Sequence, residues 1–340
     1  MLRRRGQRSP ISVGAIVVGL GLLLASCATD ADTTTPAASN TTATSTATTV
    51  AEPSAPATTA ASDDTVVPTE ATTTQPSAAN SSTIGDDDTM FVNVYWGWSV
   101  LNPASGAPER LGAGGRDVAA DSPIQHALEE TFAGPTSVEA EIGMTSSVPA
   151  GTTLLGVVVE GDTATVDLSG EFTASGGTLD ETMRLAQVVF AVTQFDGIDR
   201  VAFRIDGIAQ TSMLSHGFES ADGFSRDDFS NVRPAILIEL PTPGVAVTDP
   251  FVIRGESNTF EATVRYAITS GGGDGIVVAE GFATATNGNG AWGDFEIVVD
   301  LGDVSLGDEA TSGSIIMWED SAQDASQLDI VEVPVLLPRR

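Results

Sequence analysis

The chain has no lysine, one cysteine and two histidines in 340 residues, and each scarcity closes off a chemistry. A single cysteine leaves no disulfide framework. With only His126 and His216, a zinc centre lacks ligands of the right kind at defined spacing, so no metal site is expected. Serines are abundant, but no Gly-x-Ser-x-Gly elbow accompanies them, and a hydrolase triad has no local support. No catalytic residue and no cofactor is therefore expected. All fifteen cations are arginine, set against 46 acids for a net charge of −31. Arg3, Arg4, Arg5 and Arg8 precede Cys27 and no acid does, so from Cys27 onward the net is −35. Such a surface repels phosphate backbones and anionic headgroups, which argues against nucleic-acid binding. At 41% apolar residues the chain can still build real cores, and its length suits two domains with generous linkers.

Residues 1–26 have the plan of a secretory signal: a basic start, an apolar stretch from Ile11 to Ala25, and small residues before the cysteine. The stretch is short for a membrane-spanning helix and is interrupted by Ser12, Gly14, Gly19 and Gly21. Leu24-Ala25-Ser26-Cys27 resembles the lipobox of bacterial lipoproteins. The resemblance implies cleavage before Cys27 and a diacylglycerol on its sulfur, with further acylation of the new amino group. Two or three acyl chains anchor stably where one binds reversibly. The expected partner at this end is thus the membrane, through the lipid on Cys27, and the expected location is the outer face of the cytoplasmic membrane.

From 27 to 88 the composition falls to Thr, Ser, Ala, Pro and Asp, too poor in apolar residues to fold, and a disordered tether is expected. A flexible chain of that length spans about 45 Å root-mean-square. Ser/Thr-rich segments with Pro can carry O-linked sugars or serve as plain spacers.

Folded structure is expected from 89. Phe91-Val92-Asn93-Val94-Tyr95-Trp96 alternates as a half-buried strand does, and a second strand is read around Arg116–Ala119. Ser122, Pro123 and Gln125 announce a helix with a capping box, stopped by Gly134-Pro135. Leu154–Val159 and Thr163–Leu168 flank Glu160-Gly161-Asp162 as a hairpin. A second helix is read from Thr178, again boxed through Glu181, with Leu179, Met183, Ala186, Val189 and Phe190 facing inward, and Ile198–Ile205 reads as a closing strand. The order defines an α+β domain over 89–230, with two helices on a sheet.

Ala127-Leu128-Glu129-Glu130-Thr131-Phe132-Ala133-Gly134-Pro135, Thr165-Val166-Asp167-Leu168-Ser169, Val201-Ala202-Phe203-Arg204-Ile205-Asp206-Gly207 and Ser225-Arg226-Asp227-Asp228-Phe229, in that order, resemble the GerMN domain of sporulation and spore-germination proteins. The resemblance covers Met90 to Phe229. It implies an extracytoplasmic module similar to ring-building domains, with no catalytic residues to carry over; this chain has one copy.

Over 231–340 seven short apolar runs are separated by turn residues, with no helix signal, as in an antiparallel β-sandwich. Pro241-Thr242-Pro243-Gly244, Gly255, Phe260-Glu261-Ala262, Trp292-Gly293-Asp294-Phe295 and Val333-Pro334-Val335 resemble the Gmad2 immunoglobulin-like domain of bacterial spore-germination proteins.

Few residues suggest a site. Tyr95, Trp96 and Trp98 offer a binding surface for a sugar ring if exposed, or core packing if not. Leu111-Gly112-Ala113-Gly114-Gly115-Arg116 lacks the spacing of a phosphate loop and reads as a hairpin or loop. Asp86-Asp87-Asp88, Asp227-Asp228 and Glu319-Asp320 with Asp324 could hold calcium but lack EF-hand spacing, and solvated loop acids explain them better. Gly271–Gly275 and Asn287–Gly290 read as hairpin tips. The sequence thus leads to a lipid-anchored, non-catalytic binding or scaffold protein of the envelope that docks on a protein partner. Recognition of cell-wall glycan or peptide is the alternative, and an envelope hydrolase a remote one. The charge implies a cationic partner surface or bridging divalent ions.

Overall fold

The computed structural model describes residues 88–98, 109–219, 222–302 and 311–338. Cys27, the signal segment, Asp86-Asp87 and the expected tether up to residue 87 lie outside the described residues.

The α+β part begins with β1 (Thr89–Trp98) and β2 (Arg110–Ala119), antiparallel over their whole length. The glycine-rich stretch read as a loop is instead the middle of β2. Gly112 and Gly114 are there because two tryptophans on β1 fill the space of their side chains, and Gly115 because Phe91 does. A Cβ on Gly112 would sit 2.6 Å from Trp98, and one on Gly114 2.6 Å from Trp96. Next come α1 (Pro123–Ala133), the short α2 (Ser137–Glu141) and β3 (Met144–Thr145), which pairs with the end of β1. The hairpin of β4 (Leu154–Glu160) and β5 (Thr163–Leu168) forms as expected, and α3 (Thr178–Thr193) crosses over to β6 (Arg200–Ile205), parallel to β5. The strands β7 (Ile208–Gln210), β8 (Ser212–Met213) and β9 (Phe218–Glu219) are short. The sheet read as one is two, ordered β2-β1-β3 and β4-β5-β6-β7, with β8 and β9 paired separately. Helix α3 packs on both, burying a continuous run from Glu181 to Val192 among Tyr95, Val166, Leu168 and Phe203.

Neither expected capping box forms. Ser122 makes no side-chain cap on α1, and the N-cap of α3 is Gly177, because the Glu181 carboxylate is drawn to a loop instead. On α2 an unanticipated box forms: Thr136 and Glu139 cap each other's backbone at its start.

The second part is all β. Strands β10 (Ile236–Leu240), β11 (Phe251–Ser257), β12 (Thr263–Ser270), β13 (Ile276–Thr284), β14 (Gly293–Val299), β15 (Thr311–Asp320) and β16 (Gln327–Leu337) correspond to the seven apolar runs. They form two antiparallel sheets, β10-β11-β14 and β13-β12-β15-β16. Strict alternation in β11 and β14 turns Ile253, Phe295 and Ile297 onto Val264, Ile268, Ile315, Met317 and Val333 of the facing sheet. Gly271–Gly275 is the β12–β13 hairpin tip as read. Asn287–Gly290 is not a tip, since β13 and β14 belong to different sheets and the segment carries the chain between them. Both parts lie within one compact unit of the chain.

Candidate functional site

Strand β1 is the wall between the two parts, and its period of two decides what each face touches. Val94, Trp96 and Trp98 join a single apolar cluster with Ile236, Ile238, Val331 and Val333 of the sandwich. Tyr95, on the other face, packs edge-on to Phe190 of α3, with ring centroids 5.4 Å apart. Tyr95 and Trp96 are wholly buried and Trp98 is 4% exposed, so the aromatic binding surface considered from sequence is not there. The three residues are interdomain core. The indole N–H of Trp98 donates to the Ile142 carbonyl at 2.8 Å, and Arg116 lies 5.0 Å over the Trp96 ring while pairing with Glu139 at 2.8 Å.

The polar counterpart of this junction centres on Arg226. A 3-10 turn at Arg226–Phe229 follows Ser225, whose backbone N–H and hydroxyl donate to Asp228 while its own side chain caps the turn. That turn aims the guanidinium under the sandwich. There it reaches Glu239 on β10 at 3.0 Å and Glu256 on β11 at 2.7 Å, with the Thr193 hydroxyl at 3.0 Å, and it lies 4.7 Å over the Phe190 ring. The Tyr95 hydroxyl donates to Glu239 at 2.5 Å. Arg233 pairs with Glu256 from the other side and stacks 3.5 Å from the Trp292 centroid. Burial, with the Glu239 carboxylate next to it, pushes the Tyr95 phenol well above its ordinary range. Burial also raises the Glu256 carboxyl, against the pull of Arg226. For Arg226 burial opposes the charge, but the oxygens of Tyr95, Glu239 and Glu256 outweigh it and hold the guanidinium protonated beyond its usual value.

Beside this cluster a cleft of about 1280 Å³ opens between the two parts. One wall is β1 at Thr89, Phe91 and Asn93 with the end of α3; the other is the turn after β10 together with β11. At Asn93 the edge of β1 is covered by one side chain. The Asn93 N–H donates to the Gln194 amide oxygen at 2.7 Å and its carbonyl accepts from the Gln194 amide nitrogen at 2.8 Å. The glutamine amide thus stands where a neighbouring strand's peptide would.

The remaining candidates lie elsewhere. Glu181, fully buried, accepts from the Ser215 hydroxyl, from the His216 backbone N–H at 3.1 Å, and lies 2.7 Å from His216 Nδ1. Burial works to raise its carboxyl, but these bonds and one from the Gly176 N–H bring it down to about 2. The trio superficially suggests a nucleophile, base and acid. A working triad needs one ring nitrogen on the acid and the other on the serine, whereas here Nδ1 faces both and Ser215 donates directly to the carboxylate. The arrangement fastens a loop onto α3. His126 is ringed by Asp121 at 3.2 Å and Glu129 at 3.3 Å, whose hydrogen bonds raise its pKa. Asp228 is occupied by Ser225, Asp320 by Arg265 and the Trp318 indole, Asp324 by Ser326, and Asp227 lies 3.7 Å from Arg233. Among the described residues, no group of three His, Cys, Asp or Glu converges on a metal position, and no helix is long and apolar enough to cross a membrane.

An α+β domain joined through a shared core to an immunoglobulin-like sandwich defines a class, and comparison with known families names its parts. Residues 93–211 match the Germane family, described as sporulation and spore germination, and residues 235–326 match Gmad2, the immunoglobulin-like domain of bacterial spore germination. The chain carries this domain pair, in the order read from its residues. It is homologous to the spore germination protein GerM of Bacillus subtilis (strain 168), 29% identical over 160 residues. That alignment covers 47% of this chain and 43% of the relative, so the chain spans less than half the length of the curated protein it matches. Among solved structures, the first GerMN domain of B. subtilis GerM is 26% identical, with 41% of this chain and 99% of that one covered and a TM-score of 0.34. The tandem GerMN domains of the same protein give 20% identity, coverage of 62% and 61%, and a TM-score of 0.35.

Proposed function

We propose that this relative of sporulation and germination proteins is a lipid-anchored binding or scaffold protein, held by Cys27 at the outer face of the cytoplasmic membrane and docking on another protein of the envelope. The observation that carries the reading is the junction. A shared apolar core and the Arg226 cluster fasten two domains into one composite surface with an open cleft, an architecture suited to holding a macromolecule. Binding without turnover is the role this geometry supports, since Ser215, His216 and Glu181 are arranged as a clasp. The wall-glycan alternative loses its motive with the burial of Tyr95, Trp96 and Trp98.

Crosslinking in living cells followed by affinity purification tests the reading, comparing the intact chain with Cys27→Ala. The expected outcome is a discrete membrane-protein partner captured by the intact form and lost with Cys27→Ala. Capture of wall fragments alone, equally by both forms, would refute it.

A further inference from the structure

The cleft has features that the binding reading alone does not require. At about 1280 Å³ it exceeds the roughly 300–1,000 Å³ of small-molecule sites, and so suits a length of chain. Its lining includes Asp117, Asp196, Asp199 and Asp294, all exposed and none in an ion pair among the described residues. The two arginines that line it are already engaged, Arg226 by Glu239 and Glu256, Arg254 by Glu296 at 2.7 Å. Half-exposed apolar side chains, Phe91 at 44% and Val245 at 41%, stand on opposite walls.

The backbone adds a direction. The N–H and C=O of Asn93 point away from β2, toward Gln194, and the period of two turns those of Phe91 the same way, along the cleft. Strand β3 covers β1 only at Gly97–Trp98 and the Gln194 amide covers it at Asn93, so among the described residues no strand pairs with this edge at Phe91.

We propose that this cleft binds an extended, arginine- or lysine-bearing segment of a partner protein, which adds as a short strand to the edge of β1 at Thr89–Phe91, beyond the Gln194 amide, and sets its cations against the aspartates of the rim. The proposal rests on the binding reading above and names the partner's chemistry. Main-chain bonds to an edge supply affinity and alternate side chains supply selection in such complexes. Charge argues against the other occupants. A second copy cleaved before Cys27 would bring a net −35 against the aspartates, and the chain's own preceding segment arrives with Asp86, Asp87 and Asp88.

Fluorescence anisotropy with the full chain tests it, using a labelled decapeptide of alternating Arg and Val. Controls are the same peptide with citrulline for Arg, a version N-methylated on one edge, and a peptide of residues 60–87. The Arg peptide is expected to bind, and the citrulline and N-methylated forms to bind at least about tenfold more weakly. Asp196→Asn/Asp199→Asn is expected to lose about tenfold with an unchanged thermal midpoint, while Asp274→Asn/Glu280→Gln, exposed on the β12–β13 hairpin away from the cleft, changes nothing. The proposal is overturned if citrulline binds as well as Arg, if both acid pairs weaken binding alike and so reveal only the general field, or if the 60–87 peptide binds more tightly than the cation. Partner capture in cells that persists in the Asp196/Asp199 variant would leave the binding reading standing while this cleft is ruled out.

Discussion

Replacing Arg226 by methionine keeps an unbranched apolar stem and removes the guanidinium, with its charge, its hydrogen bonds and its contact with the Phe190 ring, which reports what that group does at the junction. Two carboxylates then face the Tyr95 oxygen without their shared cation. Removing one partner of a buried ion pair costs about 3–5 kcal/mol, because the charge left behind has lost both water and its neighbour. Here two features pull toward the lower end. Glu256 keeps Arg233, and the Glu239 side chain is 20% exposed, so water can reach it. The expected loss is therefore about 3 kcal/mol. Urea unfolding followed by tryptophan fluorescence reads it as a lower midpoint at unchanged slope, since the apolar part of the junction around Trp98 is intact. Adding Glu239→Gln to Arg226→Met should restore part of that loss, because an amide is no longer an unpaired charge, and the double-mutant cycle should show a coupling of about 1–3 kcal/mol. A cost for Arg226→Met within about 1 kcal/mol, typical of an exposed pair, would refute the reasoning. So would strict additivity with Glu239→Gln.

Trp98→Ala should cost about 3–5 kcal/mol by differential scanning calorimetry or urea unfolding, as expected for emptying a large buried aromatic site, and it also strands the Ile142 carbonyl. Gly255→Ala should destabilise by about 3 kcal/mol or prevent folding, since its Cβ would lie 2.0 Å from the Leu237 carbonyl oxygen, which the β10–β11 ladder holds in place. Glu181 supplies a pH signature. Its folded carboxyl is lowered from 4.5 to about 2, so the stability it contributes is present above the unfolded value and is lost as pH falls from about 4.5 toward 2. Thermal midpoints measured between pH 5 and 2 should show a shallower acid decline in Glu181→Gln than in the parent chain.

What could be read in advance was whatever is local. The hairpin at Leu154–Leu168, the amphipathic α3 and the seven runs of the sandwich carry their periodicity within a few residues, and all formed. The glycines of β2 could not be read the same way. A glycine run has poor strand propensity, and its reason to be a strand lies in Trp96 and Trp98 of another segment. Capping shows the same limit, since Glu181 sits at the right offset for a box but is claimed by Ser215 and His216, more than thirty residues on. The candidate site was the least legible part. Ser225-Arg226-Asp227-Asp228-Phe229 was visible as a pattern, yet Arg226 acquires its role from Tyr95, Glu239 and Glu256, residues 131, 13 and 30 positions away. The one local clue was Tyr95 itself, whose hydroxyl needs a polar partner if the ring is buried.

The missing lysines and the acidic surface have one structural counterpart. Arg116, Arg184, Arg226 and Arg233 expose 15%, 3%, 14% and 2% of their side chains, and each is tied to a carboxylate. Their planar, weakly hydrated guanidinium groups tolerate such burial, stacking on Trp96, Phe172, Phe190 and Trp292 as they pair, which an ammonium does less well. These four cations are thus drawn into the junction and the cores, while unpaired aspartates remain on the rim of the cleft. The charge that holds the two domains together and the charge left to meet the proposed partner are of opposite sign, so raising salt should weaken the proposed docking long before it loosens the junction, where water and counterions have little access.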